Sequence, residues 1–184
     1  MQEAPNGLAQ AFVLGKEFIG DSKVCLILGD NIFYGSEFEQ RVKEACADAK
    51  HATVFGYRVA DPERYGVAEF DADMNVLSLE EKPAKPKSSY AVVGLYFYPA
   101  SVVEVAKNLQ PSARGELEIT DVNKMYLKAG NLKFKKIGFG NAWLDSGTFD
   151  SLNDASNFVR TIEERTGIKV SDIEQFKQRK DVQS

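Results

Sequence analysis

The sequence predicts an α/β fold, a mainly parallel sheet flanked by helices within one domain. Three observations carry that reading. Val24–Leu28 is an unbroken apolar run without alternation, the pattern of a strand covered on both faces. Tyr90–Tyr98 repeats it with little polar alternation. Strand-like runs then alternate with helix-like ones along most of the 184 residues, interrupted by one hairpin between Val59 and Tyr90.

In chain order, Met1–Gly7 is an extended opening, and Leu8–Ile19 reads as a helix presenting Leu8, Ala9, Ala11, Phe12, Leu14 and Phe18, stopped at Gly20-Asp21. Val24–Leu28 is then the expected central strand, delivering Asp30 just past its C-terminal end, where open α/β sheets bind ligands. The next helix opens with Ser36 and Glu39 in capping-box spacing and buries Phe38, Val42, Ala45 and Ala49. Ala52–Val59 is a strand, and Val67–Phe70 with Val76–Glu81 form the hairpin, halted by Lys82-Pro83. After Tyr90–Tyr98 come a helix over Ser101–Leu109, an irregular stretch Gln110–Gly115, and a helix over Thr120–Ala129 with Gly130 just beyond its end. Leu132–Ile137 is a strand with one polar face and Ala142–Gly147 a turn carrying an acidic residue. Thr148–Arg165 is a long helix closed by Gly167. Ile168–Ser184 is polar, a peripheral helix or frayed tail.

Composition narrows the function classes. With 43% apolar and 27% charged residues the chain is of ordinary globular make-up. Its formal charge of -4 comes without a basic stripe, so no nucleic-acid partner is expected. Cys25 and Cys46 lie outside any C-x-x-C pattern, which points to a reducing cytoplasmic setting rather than a disulfide framework or a zinc site. Tyr90–Pro99, the longest nearly apolar run, is too short to span a bilayer; neither a leader nor a membrane partner is expected.

Few residues have the character of reactive or binding groups. Asp30 and Asp145 each stand where an apolar run gives way to glycine, and such a pair suits Mg²⁺, which takes one or two carboxylates and fills its octahedron with waters and substrate phosphates. On its own motif each reads more simply as a turn or helix cap. Glu81 and Lys82 close a strand with opposite charges, suited to sugar hydroxyls and to a phosphate, or simply to solvent; on a regular strand they point to opposite faces unless Pro83 bends the chain. Arg114 has the fork geometry for phosphate, although exposed loop arginines are common. Gly7 and Gly66 permit close backbone approach to a ligand or merely turn the chain. His51, the one histidine, reads as a surface residue.

The order and wording of six segments add to this: Pro5–Ala11, Leu28–Asn31, Arg64–Val67, Glu80–Pro83, Ala113–Asp121 and Trp143–Thr148. Together they resemble the bacterial glucose-1-phosphate thymidylyltransferases, from about Gln2 to Val170. The resemblance implies a Rossmann-like mixed sheet, with residues 1–170 as the C-terminal portion of a nucleotidyltransferase domain and 171–184 as a polar tail. It implies a reaction in which glucose 1-phosphate attacks the α-phosphorus of dTTP, giving dTDP-glucose for deoxysugar synthesis and releasing pyrophosphate. It assigns Asp30 and Asp145 to Mg²⁺, and Lys82 and Arg114 to the sugar phosphate; Lys82, Asp30 and Asp145 would be the catalytic set. Glu81 would bind glucose hydroxyls, Gly66 and Val92 would line the sugar pocket, and Tyr96 would lie near the sugar phosphate. Gln2, Gly7 and Leu8 would contact thymine or its deoxyribose. A cytoplasmic homo-oligomer, a tetramer in that family, is implied as well.

One departure is evident. Members of that family open with a strand, a Gly-rich loop ending in Thr-Arg-Leu and a following lysine, which bind the triphosphate, and this sequence contains no such segment. The expectation is therefore a chain that carries most of the sugar half, without the triphosphate half, and in which Val24–Leu28 lacks a neighbouring strand. Two other readings stay open: a homologue that binds sugar phosphate or product without catalysis, and a uridylyltransferase of the same fold.

Overall fold

The computed structural model describes residues 6–48, 50–73 and 75–171. In chain order its elements are α1 (Gln10–Leu14), α2 (Lys16–Ile19), β1 (Val24–Ile27), β2 (Asn31–Tyr34), α3 (Phe38–Ala47), β3 (Ala52–Arg58), β4 (Gly66–Phe70) and β5 (Val76–Glu81). There follow β6 (Tyr90–Tyr98), α4 (Val102–Lys107), α5 (Ile119–Lys128), β7 (Leu132–Lys136), β8 (Ala142–Asp145) and α6 (Phe149–Thr166). The chain divides into two compact units, one of Met1–Gly29 with Phe33–Trp143, the other of Asp30–Ile32 with Leu144–Ser184.

The first unit is built on β6, whose apolar residues serve two cores at once. Tyr96 and Tyr98 face one core with Phe12, Val54, Val102, Val122 and Tyr126, where α1, α4 and α5 pack. Val93, Leu95 and Phe97 face the other, with Ala45 of α3, Phe55, Ile137 and Trp143. Burial on both faces is what the unalternating run predicted, and each core side chain contributes about 1.5–3 kcal/mol by leaving water.

The sheet runs β5-β4-β6-β3-β7, with β1 also paired to β6. It is mixed and flanked by helices, as expected, but it is not mainly parallel. Only β3 and β7 are parallel, while β1/β6, β3/β6, β4/β5 and β4/β6 are antiparallel. An unalternating apolar run reports covered faces and carries no information on strand direction.

Along β6 one edge belongs to β3 throughout, from Thr53 opposite Phe97 to Arg58 opposite Tyr90. Since a strand has two edges, β1 and β4 share the other. β1 holds it from Tyr98 to Leu95, and the Leu28 N–H donates to the Gly94 carbonyl at 2.9 Å. β4 takes over where Gly66 meets Val92. β6 is the one partner of β1 among the described residues, in line with the expected lack of a neighbouring strand, but β1 is not covered on both faces as expected: its burial alternates, and Ile27 is 58% exposed.

Three local expectations also change. The helix over Leu8–Ile19 is two short ones divided at Gly15, and Phe18 is 93% exposed, so its apolar face is only partly used. The Ser36/Glu39 capping box does not form, because α3 starts after Glu37, with no side-chain cap. Ala142–Asp145 is a strand rather than a turn. It pairs with β2 as a separate two-stranded ribbon. A capping box does form at α6, in the second unit, where the Ser151 N–H donates to Thr148 Oγ1 and the Thr148 N–H donates to Ser151 Oγ. Gly130 and Gly167 end α5 and α6 at φ of 71° and 68°, as their positions predicted. Among the described residues no helix is long and apolar enough to cross a membrane.

Candidate active site

In the first unit, candidate residues gather where the β6 edge passes from β1 to β4. Gly66, at the start of β4, lies opposite Glu81 on one side and Val92 on the other. A methyl group on Gly66 would sit 3.1 Å from Thr120 Oγ1, 3.3 Å from Glu81 Oε2 and 3.9 Å from Val92 Cβ. Glycine therefore leaves the floor of this small region open. Thr120, in the first turn of α5, donates its hydroxyl to Glu81 Oε2.

Lys82 follows directly. It is the one non-glycine residue with positive φ among those described, at 43°, and its N–H donates to the Tyr65 carbonyl at 3.0 Å. The strand alternation that would have set Glu81 and Lys82 on opposite faces stops here, and the bend is made by Lys82 itself ahead of Pro83.

Arg114 stands beside this group, with Nη2 3.9 Å from Glu81 Oε1. Its guanidinium grips Glu118 through Nε and Nη2, with bonds of 3.1, 2.8 and 2.9 Å, and Ser112 Oγ donates to the same carboxylate at 2.8 Å. That pairing holds the Arg114 pKa above even its ordinary value. Glu118 and Thr120 are buried polar residues in which sequence reading found no function. The available signal was an acid and a hydroxyl residue flanking Ile119 at the start of an amphipathic helix.

The remaining first-unit candidates are placed differently. Gly7 has φ 98°, and a methyl group there would fall 2.5 Å from the Leu117 carbonyl oxygen. The Leu117 N–H donates to the Asn6 carbonyl at 2.8 Å and the Ala9 N–H to the Leu117 carbonyl at 3.1 Å, so close approach at Gly7 is to the chain itself. Leu8 is exposed. Tyr96 is only 4% exposed and stacks on Tyr98, with ring centroids 6.2 Å apart, which makes it foremost a core residue. Gln2 lies outside the described residues.

The second unit brings Asp30 and Asp145 together. The Ser146 N–H and hydroxyl both donate to the Asp30 carbonyl, at 2.8 and 2.9 Å, tying the two segments through backbone. Asn31 Nδ2 donates to Asp30 Oδ1 at 2.8 Å, and the Gly147 N–H to Asp145 Oδ1 at 2.8 Å. A methyl group on Gly147 would lie 3.0 Å from Asp145 Oδ1 and 3.6 Å from Asp30 Oδ2, so the two carboxylates flank one spot. Among the described residues no group of three or more His, Cys, Asp or Glu could hold a metal. Two carboxylates without nitrogen or sulfur donors suit a hard cation that completes its shell with water and phosphate, and not zinc.

The family model described as nucleotidyl transferase matches residues 1–162. The chain is 56% identical to the glucose-1-phosphate thymidylyltransferase of Neisseria gonorrhoeae over 176 residues, covering 96% of this chain and 61% of that protein. It is 55% identical to the Mycobacterium tuberculosis enzyme of the same name, covering 92% and 59%. A crystal structure from Bacillus anthracis with sucrose, provisionally assigned to the same activity, aligns with a TM-score of 0.77 and 43% identity, over 87% of this chain and 63% of that one. A UDP-glucose pyrophosphorylase complexed with UDP-glucose shares the fold, with a TM-score of 0.76 at 23% identity. The chain thus spans about six-tenths of the length of these relatives.

Proposed function

The chain belongs to the nucleotidyl transferase family, and from that premise we propose that it carries the sugar-phosphate and metal-holding residues of a glucose-1-phosphate thymidylyltransferase. The observation that carries the proposal is Glu81, set between the Thr120 hydroxyl and the Arg114 guanidinium beside a glycine floor. A carboxylate that accepts from sugar hydroxyls and a guanidinium fork that donates to phosphate oxygens are the two handles a sugar 1-phosphate requires, within reach of one small ligand.

In the proposed reaction a phosphate oxygen of glucose 1-phosphate attacks the α-phosphorus of dTTP. A new P–O bond forms, the bond to the β-phosphate breaks, and pyrophosphate leaves. Such a transfer is governed by positioning and charge neutralisation, so no protein nucleophile is needed. Glu81 orients the glucose ring, Lys82 and Arg114 hold its phosphate, and Gly66 with Val92 shapes the floor. Gly7 and Leu8 are assigned to the thymidine side, and Tyr96 to the packing behind the sugar phosphate. Asp30 and Asp145 would hold Mg²⁺. When bound, the ion supplies charge neutralisation at phosphate oxygens. The reading extends to a cytoplasmic homo-oligomer, for which light scattering on the purified protein gives the mass.

The test is product analysis with the purified protein, Mg²⁺ and glucose 1-phosphate, offering dTTP or UTP in parallel. The proposal expects dTDP-glucose as the dominant nucleotide sugar. Dominant UDP-glucose would overturn the choice of base, and absence of both products would overturn the reading.

A further inference from the structure

Arg114 has five N–H donors, and the structure commits only one edge of its fork. Nε and Nη2 are spent on Glu118, while no bond to Nη1 appears among the described residues and the side chain is 45% exposed. Glu118 itself is fixed. It is 8% exposed, it receives the Ser112 hydroxyl at 2.8 Å, and it precedes the first turn of α5, whose Thr120 holds Glu81. A free arginine at this irregular loop would have to be ordered by the ligand, at a cost in side-chain entropy for each binding event. Docked edge-on against a buried carboxylate, the guanidinium is ordered beforehand and offers its opposite edge.

We infer that Glu118 is a positioning residue: it holds Arg114 by one edge so that the other edge receives the phosphate of the sugar phosphate. The inference rests on the proposed function and adds to it a residue that touches no substrate. Two further carboxylates, Glu116 at 3.8 Å and Glu81 at 3.9 Å, surround the same guanidinium. Their charge would oppose an incoming phosphate, so fixed geometry at Arg114 matters more here than its net field.

The test is calorimetric titration of glucose 1-phosphate into wild type, Glu118→Gln, Arg114→Ala and the double variant, with circular dichroism as the check on folding. Glu118→Gln preserves volume and removes the charge that grips the fork. The expected result is a loss of affinity of roughly tenfold for Glu118→Gln in the wild-type background, from weakened charge-assisted bonds, and little further loss in the Arg114→Ala background. A purely structural Glu118 would give equal losses in both backgrounds, which would overturn the inference, as would unchanged affinity in Glu118→Gln. Wild type that does not take up glucose 1-phosphate at all would overturn the functional reading and this inference with it.

Discussion

Lys82 donates its backbone N–H to the Tyr65 carbonyl at 3.0 Å while holding a left-handed φ of 43°. A left-handed conformation costs a residue with a side chain about 1–2 kcal/mol, and glycine escapes most of that at an entropic cost of about 0.5–1 kcal/mol. Strain of this kind is tolerated where the side chain has another use.

Lys82→Gly should therefore raise stability by about 0.5–1 kcal/mol in urea denaturation while lowering turnover of glucose 1-phosphate at least about tenfold through loss of the ammonium. A variant that is both less stable and fully active would contradict the assignment.

Gly7 makes the opposite case, a candidate ligand residue whose surroundings are protein. Both its φ of 98° and the 2.5 Å approach to Leu117 forbid a methyl group without movement of backbone. Gly7→Ala is expected to destabilise by about 2–4 kcal/mol, measured by denaturant midpoint. A loss below about 0.5 kcal/mol, the range of an ordinary surface substitution, would show that the segment yields easily.

Asp48 gives a pH dependence. Its carboxylate receives Lys133 Nζ first of all, and also the His51 ring and the backbone N–H groups of Lys50 and His51, which hold its pKa well below the usual aspartate range. The unfolded chain binds this proton near pH 4 and the folded chain only at lower pH, so the contribution is present above pH 4 and fades as pH falls below it. Asp48→Asn should lower stability at pH 7 and flatten the acid limb below pH 4. Parallel wild-type and variant curves across that range would exclude the linkage.

The same contrast separates what sequence reading could reach from what it could not. The two-sided burial of Tyr90–Tyr98 was legible because both faces of β6 meet core, and the left-handed glycines after α5 and α6 were legible because chain reversal at a helix end favours them. Val24–Leu28 has the same apolar wording, yet β1 is not covered on both faces and Ile27 is exposed; composition does not say which apolar strand the fold covers. Asp30 and Asp145 could be paired from their similar settings. Thr120 escaped because its partner Glu81 is 39 residues away and is brought to it by tertiary packing of the α5 start against β5, which no local pattern encodes. Glu118 pairs with Arg114 only four residues before it, in an irregular stretch where that spacing does not imply contact.

The most direct measurement is pyrophosphate release by the purified protein supplied with dTTP, glucose 1-phosphate and Mg²⁺, compared with Asp145→Asn. Asparagine can still accept the Gly147 N–H, so the β8–α6 turn should keep its shape while the cation loses a charged ligand. Wild type should release pyrophosphate, and the variant should lose about a hundredfold or more of that rate, partly recovered at high Mg²⁺. Equal release by both proteins would contradict the placement of the metal at Asp30 and Asp145, and with it the reading of this chain as carrying the metal-holding residues.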